Sequence, residues 1–250
     1  LLKKDCDNVS SHPVGYDNKL SSDGIMLVWK GKKRSRLSEQ LWNKHIIKSC
    51  DHKEVVERIR QNKISEWSQV LHLSTSPGEK ILEMGCGTGE ISLQLAQSGR
   101  EVTALDTNPY SLEFIQKCAT ELGVTINTKL ADATDELAFD DNSFDCTWSS
   151  GLLEHFYPYE RQKMLREWNR ITKHKIINLV PNASSVAYRV GKALHEKDGT
   201  WEWGLEMPIK SLRNDYNQAG LNVVSEFSVG EKHSLNFLPN DHPLRKLLLN

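Results

Sequence analysis

The sequence predicts an α/β fold built on a doubly wound parallel sheet. Three observations carry this reading. From Lys80 onward, short apolar runs alternate with longer segments of helical periodicity. A glycine turn follows the first of those runs and opens the first helix. Hydrophobic residues make up 38% and charged residues 26% of the 250, a balance that supplies a sizeable core. Strands alternating with helices at such intervals imply right-handed crossovers and helices on both faces of the sheet.

The elements follow in order. Residues 1–36 are polar and irregular, read as loop or arm, and hold the basic run Lys30–Arg36. Residues 37–73 read as helical. Ser38 stands as an N-cap before Leu41, Trp42, His45 and Ile46, and a second helix runs from His52 to Ser68. These N-terminal helices, with the arm (1–73), are expected to cover the functional site. Ser74–Gly78 breaks the chain. Strands are then expected at Lys80–Glu83, Glu101–Leu105, Thr125–Lys129, Phe144–Trp148, Lys175–Leu179 and Leu221–Phe227, with a last one at His233–Phe237. The intervening helices are Glu90–Gln97, Pro109–Leu122, Arg161–Ile171 and Lys210–Ala219. Residues 181–208 are too long for an ordinary connection after the fifth strand. They carry Tyr188, Trp201 and Trp203 and predict a helical, lid-like insertion over the carboxyl edge of the sheet, where open α/β folds place ligands.

Composition excludes several classes. Lys+Arg is 32 against Asp+Glu 33, a net charge of −1, so nucleic acid is an unfavoured partner. No apolar run reaches the ~18 residues of a membrane span, and no signal-peptide pattern opens the sequence, which begins at Leu1. Five cysteines without a CxxC pair argue against a zinc ribbon or disulfide framework and for a reducing, cytoplasmic setting. No metal-ligand cluster is visible.

The strongest signal is Ile81-Leu-Glu-Met-Gly85-Cys-Gly87-Thr-Gly89. Glycines let the backbone take positive φ and let a ligand approach the main chain closely. A dinucleotide site wants G-x-G-x-x-G. Here the third glycine comes one residue early, and Glu90 stands where that pattern wants glycine. Glu83 adds a second acid just upstream, unfavourable to a pyrophosphate and favourable to a ligand carrying an ammonium and a sulfonium. Asp106 ends the second strand, 21 residues after Gly85, where a carboxylate can accept from both ribose hydroxyls. Ala131-Asp132-Ala133 follows the third strand, and Asp140-Asp-Asn-Ser-Phe-Asp145 leads through Trp148-Ser149-Ser150 to Leu153-Glu154-His155-Phe156.

In this order the four segments resemble the class I S-adenosylmethionine-dependent methyltransferases, in particular the small-molecule branch with a type 11 methyltransferase domain. The resemblance is strong over roughly Lys80 to Pro181. It implies a Rossmann-like, mostly parallel seven-stranded sheet whose last strand is antiparallel, within a methyltransferase domain at 74–250. It implies that Gly85, Gly87 and Gly89, with Glu83, face the methionine part of S-adenosylmethionine. Asp106 and Thr107 would meet the ribose, Asp132 and Ala133 the adenine, and Ser149 would lie nearby. The product would be S-adenosylhomocysteine.

His155 is the sharpest catalytic candidate, because a neutral imidazole can take a proton from an attacking hydroxyl or amine. Glu154 could orient it or bind a substrate cation. Tyr188, Trp201 and Trp203 would wall the pocket of a small-molecule acceptor, or anchor the insertion. Cys86 reads as structural, with no base beside it in sequence. Two other readings stand beside the methyltransferase: an NAD(P)-dependent oxidoreductase on a related fold, and a non-catalytic nucleoside- or partner-binding module. Oligomeric state is not encoded in these patterns.

Overall fold

A computed structural model describes Asn18–Ser21, Gly24–Leu27 and residues 51–249. The first helix expected from Ser38, the basic run Lys30–Arg36, Trp29, Trp42, Cys6 and Cys50 lie outside the described residues. Strands β1 (Asn18–Ser21) and β2 (Gly24–Leu27) pair with each other as an antiparallel hairpin.

The expected helix over His52–Ser68 is two helices, α1 (His52–Arg60) and α2 (Glu66–Ser74). The chain turns at Asn62, which takes a positive φ of 52°, and Ser65 restarts the helix by accepting from the Ser68 N–H. The apolar spacing runs on through this turn, so periodicity alone does not reveal it.

The central sheet has five parallel strands: β3 (Lys80–Met84), β4 (Glu101–Asp106), β5 (Asn127–Leu130), β6 (Phe144–Ser150) and β7 (Thr172–Leu179). Their order is β5-β4-β3-β6-β7. The connecting helices are α3 (Glu90–Gln97), α4 (Pro109–Leu122) and α5 (Pro158–Ile171). Alternation along β3 sends Ile81 to one face and Leu82 and Met84 to the other. Ile81 joins a core with Val55, Leu93, Ile115 and Trp148, which belong to or face α1, α3 and α4. Leu82 and Met84 join Met164, Leu165 and Trp168 of α5. The strand order reverses at β3 and β6, so the crevice beyond their carboxyl ends is the switch point of the sheet.

Two expected strands are absent among the described residues. Leu221–Phe227 forms no ladder; Val224 is 98% exposed and Phe227 66%. The segment is tied down by a side chain, the Glu226 carboxylate accepting from the Leu212 N–H and the Ser211 hydroxyl. Only Leu221, at its start, packs against a core; Val224 and Phe227 stand exposed, and such a pattern makes a strand only when one face is buried. His233–Phe237 is helical: α8 (Glu231–Ser234) runs into a 3-10 turn at Leu235–Phe237. That turn lets Leu235 and Leu238 face one small core with Ala187. The described sheet therefore has five strands rather than seven.

The insertion after β7 contains the helix α6 (Val186–Asp198), and α7 (Arg213–Gln218) follows it. A buried ion pair, Arg161 to Asp215 at 3.0 Å, ties α5 to α7. The last helix is α9 (Pro243–Leu249). Gly191 lies mid-helix in α6 against Phe237, and a Cβ there would collide with the Phe237 backbone. Gly191→Ala should therefore destabilise the protein by about 1–3 kcal/mol although alanine is the better helix former. Denaturant unfolding checks this; an unchanged or raised midpoint would show that the two segments do not pack closely.

Candidate functional site

The carboxyl ends of four neighbouring strands enclose a cavity of about 580 Å³. After β3 comes the glycine turn. Gly85, Gly87 and Gly89 take φ of 67°, 53° and 61°, a region that favours glycine. Gly85 packs its bare Cα against Leu152, and a Cβ on Gly89 would collide with Ile115. A Cβ on Gly87 would meet nothing within 4 Å, so there the backbone stands open to the cavity. Gly89 also starts α3, whose first-turn N–H groups point back toward the turn.

Asp106 ends β4 and locks this turn. Its carboxylate accepts from the Gly87 N–H and the Asn108 N–H, both at 2.9 Å. Burial raises its pKa, and hydrogen bonds from the Gly87, Asn108 and Thr107 backbones pull it back. Thr107, exposed, also lines the cavity. Glu83 lies one strand over, buried, with the Ser92 hydroxyl donating to it at 2.5 Å. Burial pushes its carboxyl well above the usual range; the Ser92 bond opposes this and Asp106 adds to it. Cys86 lines the cavity, and burial first, then Glu83 and Asp106, push its thiol up, the reverse of an activated nucleophile.

Beyond β5, Asp132 turns the chain by accepting from the Thr134 N–H and hydroxyl. Ala133 is buried, its carbonyl accepting from the Trp168 indole. Both line the cavity. Beyond β6 the wall is Ser150, Gly151, Leu152, His155 and Phe156. Ser149 is not part of that wall; strand alternation turns its hydroxyl toward β7, where it donates to Asn178 at 2.6 Å.

His155 lies on a 3-10 turn (Leu153–His155). Its Nδ1 is 2.6 Å from the Leu205 carbonyl of the insertion. Glu154 is buried behind the wall. Its backbone carbonyl accepts from the Met207 N–H at 2.6 Å, while its Oε2 has no hydrogen-bond partner among the described residues. Burial, with Glu206 nearby, raises the Glu154 pKa to about 8 against the pull of Lys192 and Arg161. One donor atom from each of Glu154, His155 and Glu206 lies within 4.8 Å of the others. This grouping is invisible in the sequence. The Lys192 ammonium, 3.1 Å from Glu206 Oε2, supplies a positive charge to it.

The structure does not bring the three aromatic residues of the insertion to the cavity wall. Tyr188 and Trp201 pack with Phe237, and Lys192 sits 3.9 Å over the Trp201 ring. Trp203 is half-buried and is also not part of the wall. Anchoring the insertion is what Tyr188 and Trp201 are seen to do.

Sequence reasoning missed several wall residues. Asn108 and Ser111, at the start of α4, line the cavity, and Asn108 Nδ2 and Ser111 Oγ are buried with no hydrogen-bond partner among the described residues. Asn108 had a signal, the N-cap position before Pro109. Lys63, Ser65 and Trp67 close the cavity from the turn between α1 and α2 and the start of α2. Glu90 also lines it and is held by Arg58 at 2.7 Å.

A family profile described as "Methyltransferase domain" matches residues 81–175. The uncharacterized methyltransferase sll0829 of Synechocystis sp. is 30% identical over 102 residues, 41% of this chain and 46% of that protein. A ubiquinone biosynthesis O-methyltransferase of Xanthomonas campestris pv. campestris is 32% identical over 79 residues, 32% of this chain and 33% of that protein. The chain spans less than half the length of these curated relatives. Among solved structures, a chain of the Haloferax volcanii complex between the Trm112 methyltransferase activator and a methyltransferase superposes with a TM-score of 0.59. It is 18% identical, over 83% of this chain and 90% of that one, a likeness of fold.

Glu154 generates a pH prediction. Its folded value of about 8 lies above the ordinary 4.5, so folding favours the protonated carboxyl. The associated stability is full below pH 4.5 and is lost as pH rises toward 8. Glu154→Gln removes this titration. The variant should gain stability relative to the native protein between pH 5 and 8, by on the order of a few kcal/mol, and level off above that. Denaturant unfolding at pH 5, 7 and 9 checks it; a constant difference would mean that the folded carboxyl is ionised throughout.

Proposed function

The chain carries a class I S-adenosylmethionine-dependent methyltransferase domain, and from that premise we propose that it methylates a small-molecule acceptor, in a cytoplasmic setting. The observation that carries this is the convergence of the open Gly87 backbone, the Asp106 carboxylate, the Asp132–Ala133 loop and His155 on one cavity.

The residues present fit the cofactor. The open space over Gly87 is a cradle that any side chain would fill. In this reading the turn from Gly85 to Gly89, with Glu83 beneath it, holds the methionine part. Asp106 and Thr107 receive the ribose, and Asp132 and the Ala133 backbone receive the adenine. When bound, S-adenosylmethionine supplies a methyl group on a sulfonium, an already activated leaving group.

The protein's own task is then alignment and dryness. Leu152 and Phe156 give the wall beside His155 an apolar surface. His155, on the cavity wall, would take the proton from the attacking hydroxyl or amine of the acceptor. Burial of Glu154 behind it favours the uncharged carboxyl there. The dinucleotide reading finds no support: Glu90 is engaged by Arg58 at the position where that pattern needs glycine. No helix of the described residues is long and apolar enough to cross a membrane.

Two substitutions test the reading. Asp106→Ala should weaken S-adenosylhomocysteine binding about 10- to 100-fold, the range for hydrogen bonds to a charged group. Calorimetric titration measures it, and unchanged affinity would remove Asp106 from the ribose role. His155→Ala should cut methyl transfer about a hundredfold or more while sparing that affinity. Full turnover across a panel of hydroxyl and amine acceptors would make His155 structural.

A further inference from the structure

Glu206 belongs to no sequence motif, yet it is buried at the joint between the insertion and the cavity wall. Its Oε2 accepts from the Tyr188 hydroxyl and from Lys192 Nζ at 3.1 Å, both on α6. Its two neighbours reach the opposite way. The Leu205 carbonyl meets His155 Nδ1 at 2.6 Å, and the Met207 N–H donates to the Glu154 carbonyl at 2.6 Å. Three consecutive residues thus form a strap between α6 and the turn that carries His155. Gly204, with φ of 66°, lets the chain bend into it.

The chemistry of the His155 bond is one-sided. A carbonyl oxygen has no hydrogen to give, so Nδ1 must be the donor. In the neutral ring the lone pair then lies on Nε2. A base with the opposite tautomer would present an N–H from Nε2 and could accept nothing there.

We propose that Glu206 is a positioning residue: by pinning the 205–207 strap to α6 it keeps the Leu205 carbonyl on His155 and so selects the imidazole tautomer whose Nε2 takes the acceptor's proton. This rests on His155 being the base. The charged or titratable groups packed round the joint are Glu154 on the same turn, Lys192, Glu196 and Tyr188 on α6, and Arg161 on α5. Lys192 bridges Glu206 and Glu196, so the positive charge stays on the insertion side of the strap.

The test uses the whole chain, nitrogen-15 labelled, with the His155 ring signals assigned by their loss in His155→Gln. At a pH where the ring is neutral, the native protein should show Nδ1–H and an unprotonated Nε2. Glu206→Gln removes the charge that holds Lys192, and Tyr188→Phe removes the other donor with little risk to folding. Both should move His155 to a mixture of tautomers and lower kcat about two- to tenfold, the range for one neutral hydrogen bond. S-adenosylhomocysteine affinity should be unchanged. A pure Nδ1–H tautomer in both variants overturns the strap, and if Glu206→Gln does not fold, Tyr188→Phe decides alone. A tautomer shift with no loss of methyl transfer overturns the base reading on which the proposal depends.

Discussion

The site depends on one carboxylate. Asp106 lies at the end of β4 and binds the backbone N–H of Gly87, which belongs to the turn after β3. That bond couples two strand ends that the sheet alone would leave as separate loops. It holds the glycine turn in its left-handed conformation and holds the acid at the cavity wall. The cost is burial of a charge, visible in the raised pKa of Asp106, and backbone donors offset it. Glu83 is a second buried acid nearby, with its own donor in Ser92. A pair of buried acids around a bare glycine backbone suits a cationic nucleoside better than an anionic dinucleotide.

The far wall is built on a different principle. Here the chain after β6 supplies His155 on a single 3-10 turn, too short to hold a ring by itself. Its rigidity is borrowed. Arg161 donates to the Phe156 carbonyl and pairs with the buried Asp215, which fixes the end of that turn to α5 and α7. The insertion contributes the Leu205 and Met207 bonds from the other side. The His155 turn is thus held by elements on both sides that are distant in sequence.

Some parts of this arrangement were legible from the chain alone and some were not. The glycine turn, Asp106 and the Asp132–Ala133 loop are readable because each is a local requirement: positive φ, a strand-end acid, a turn-forming side chain. Ser149 was expected near the ligand at the end of the fourth strand; its hydroxyl bonds Asn178 of β7, and the wall itself is Ser150, Gly151 and Leu152. The cost of exposing the insertion's aromatic residues left two readings, pocket lining or anchoring, and Tyr188 and Trp201 meet that cost by packing with Phe237. The strands expected after Gly220 failed for a related reason: β-propensity needs a partner ladder and a buried face, and Val224 and Phe227 have neither.

The sequence by itself determined the order of the parallel strands' elements, the conformation of the glycine turn and the acids beside it. These follow from backbone sterics at glycine and from where a strand must end, and the Asp106 bond to Gly87 then joins the two strand ends. Only the tertiary structure decided that Glu206 and Leu205 stand behind His155, that Asn108 and Ser111 line the cavity, and that the insertion's aromatics serve its own packing. Those outcomes depend on which surfaces meet when helices close over the sheet. Contacts across 50 residues of chain leave no periodicity to read.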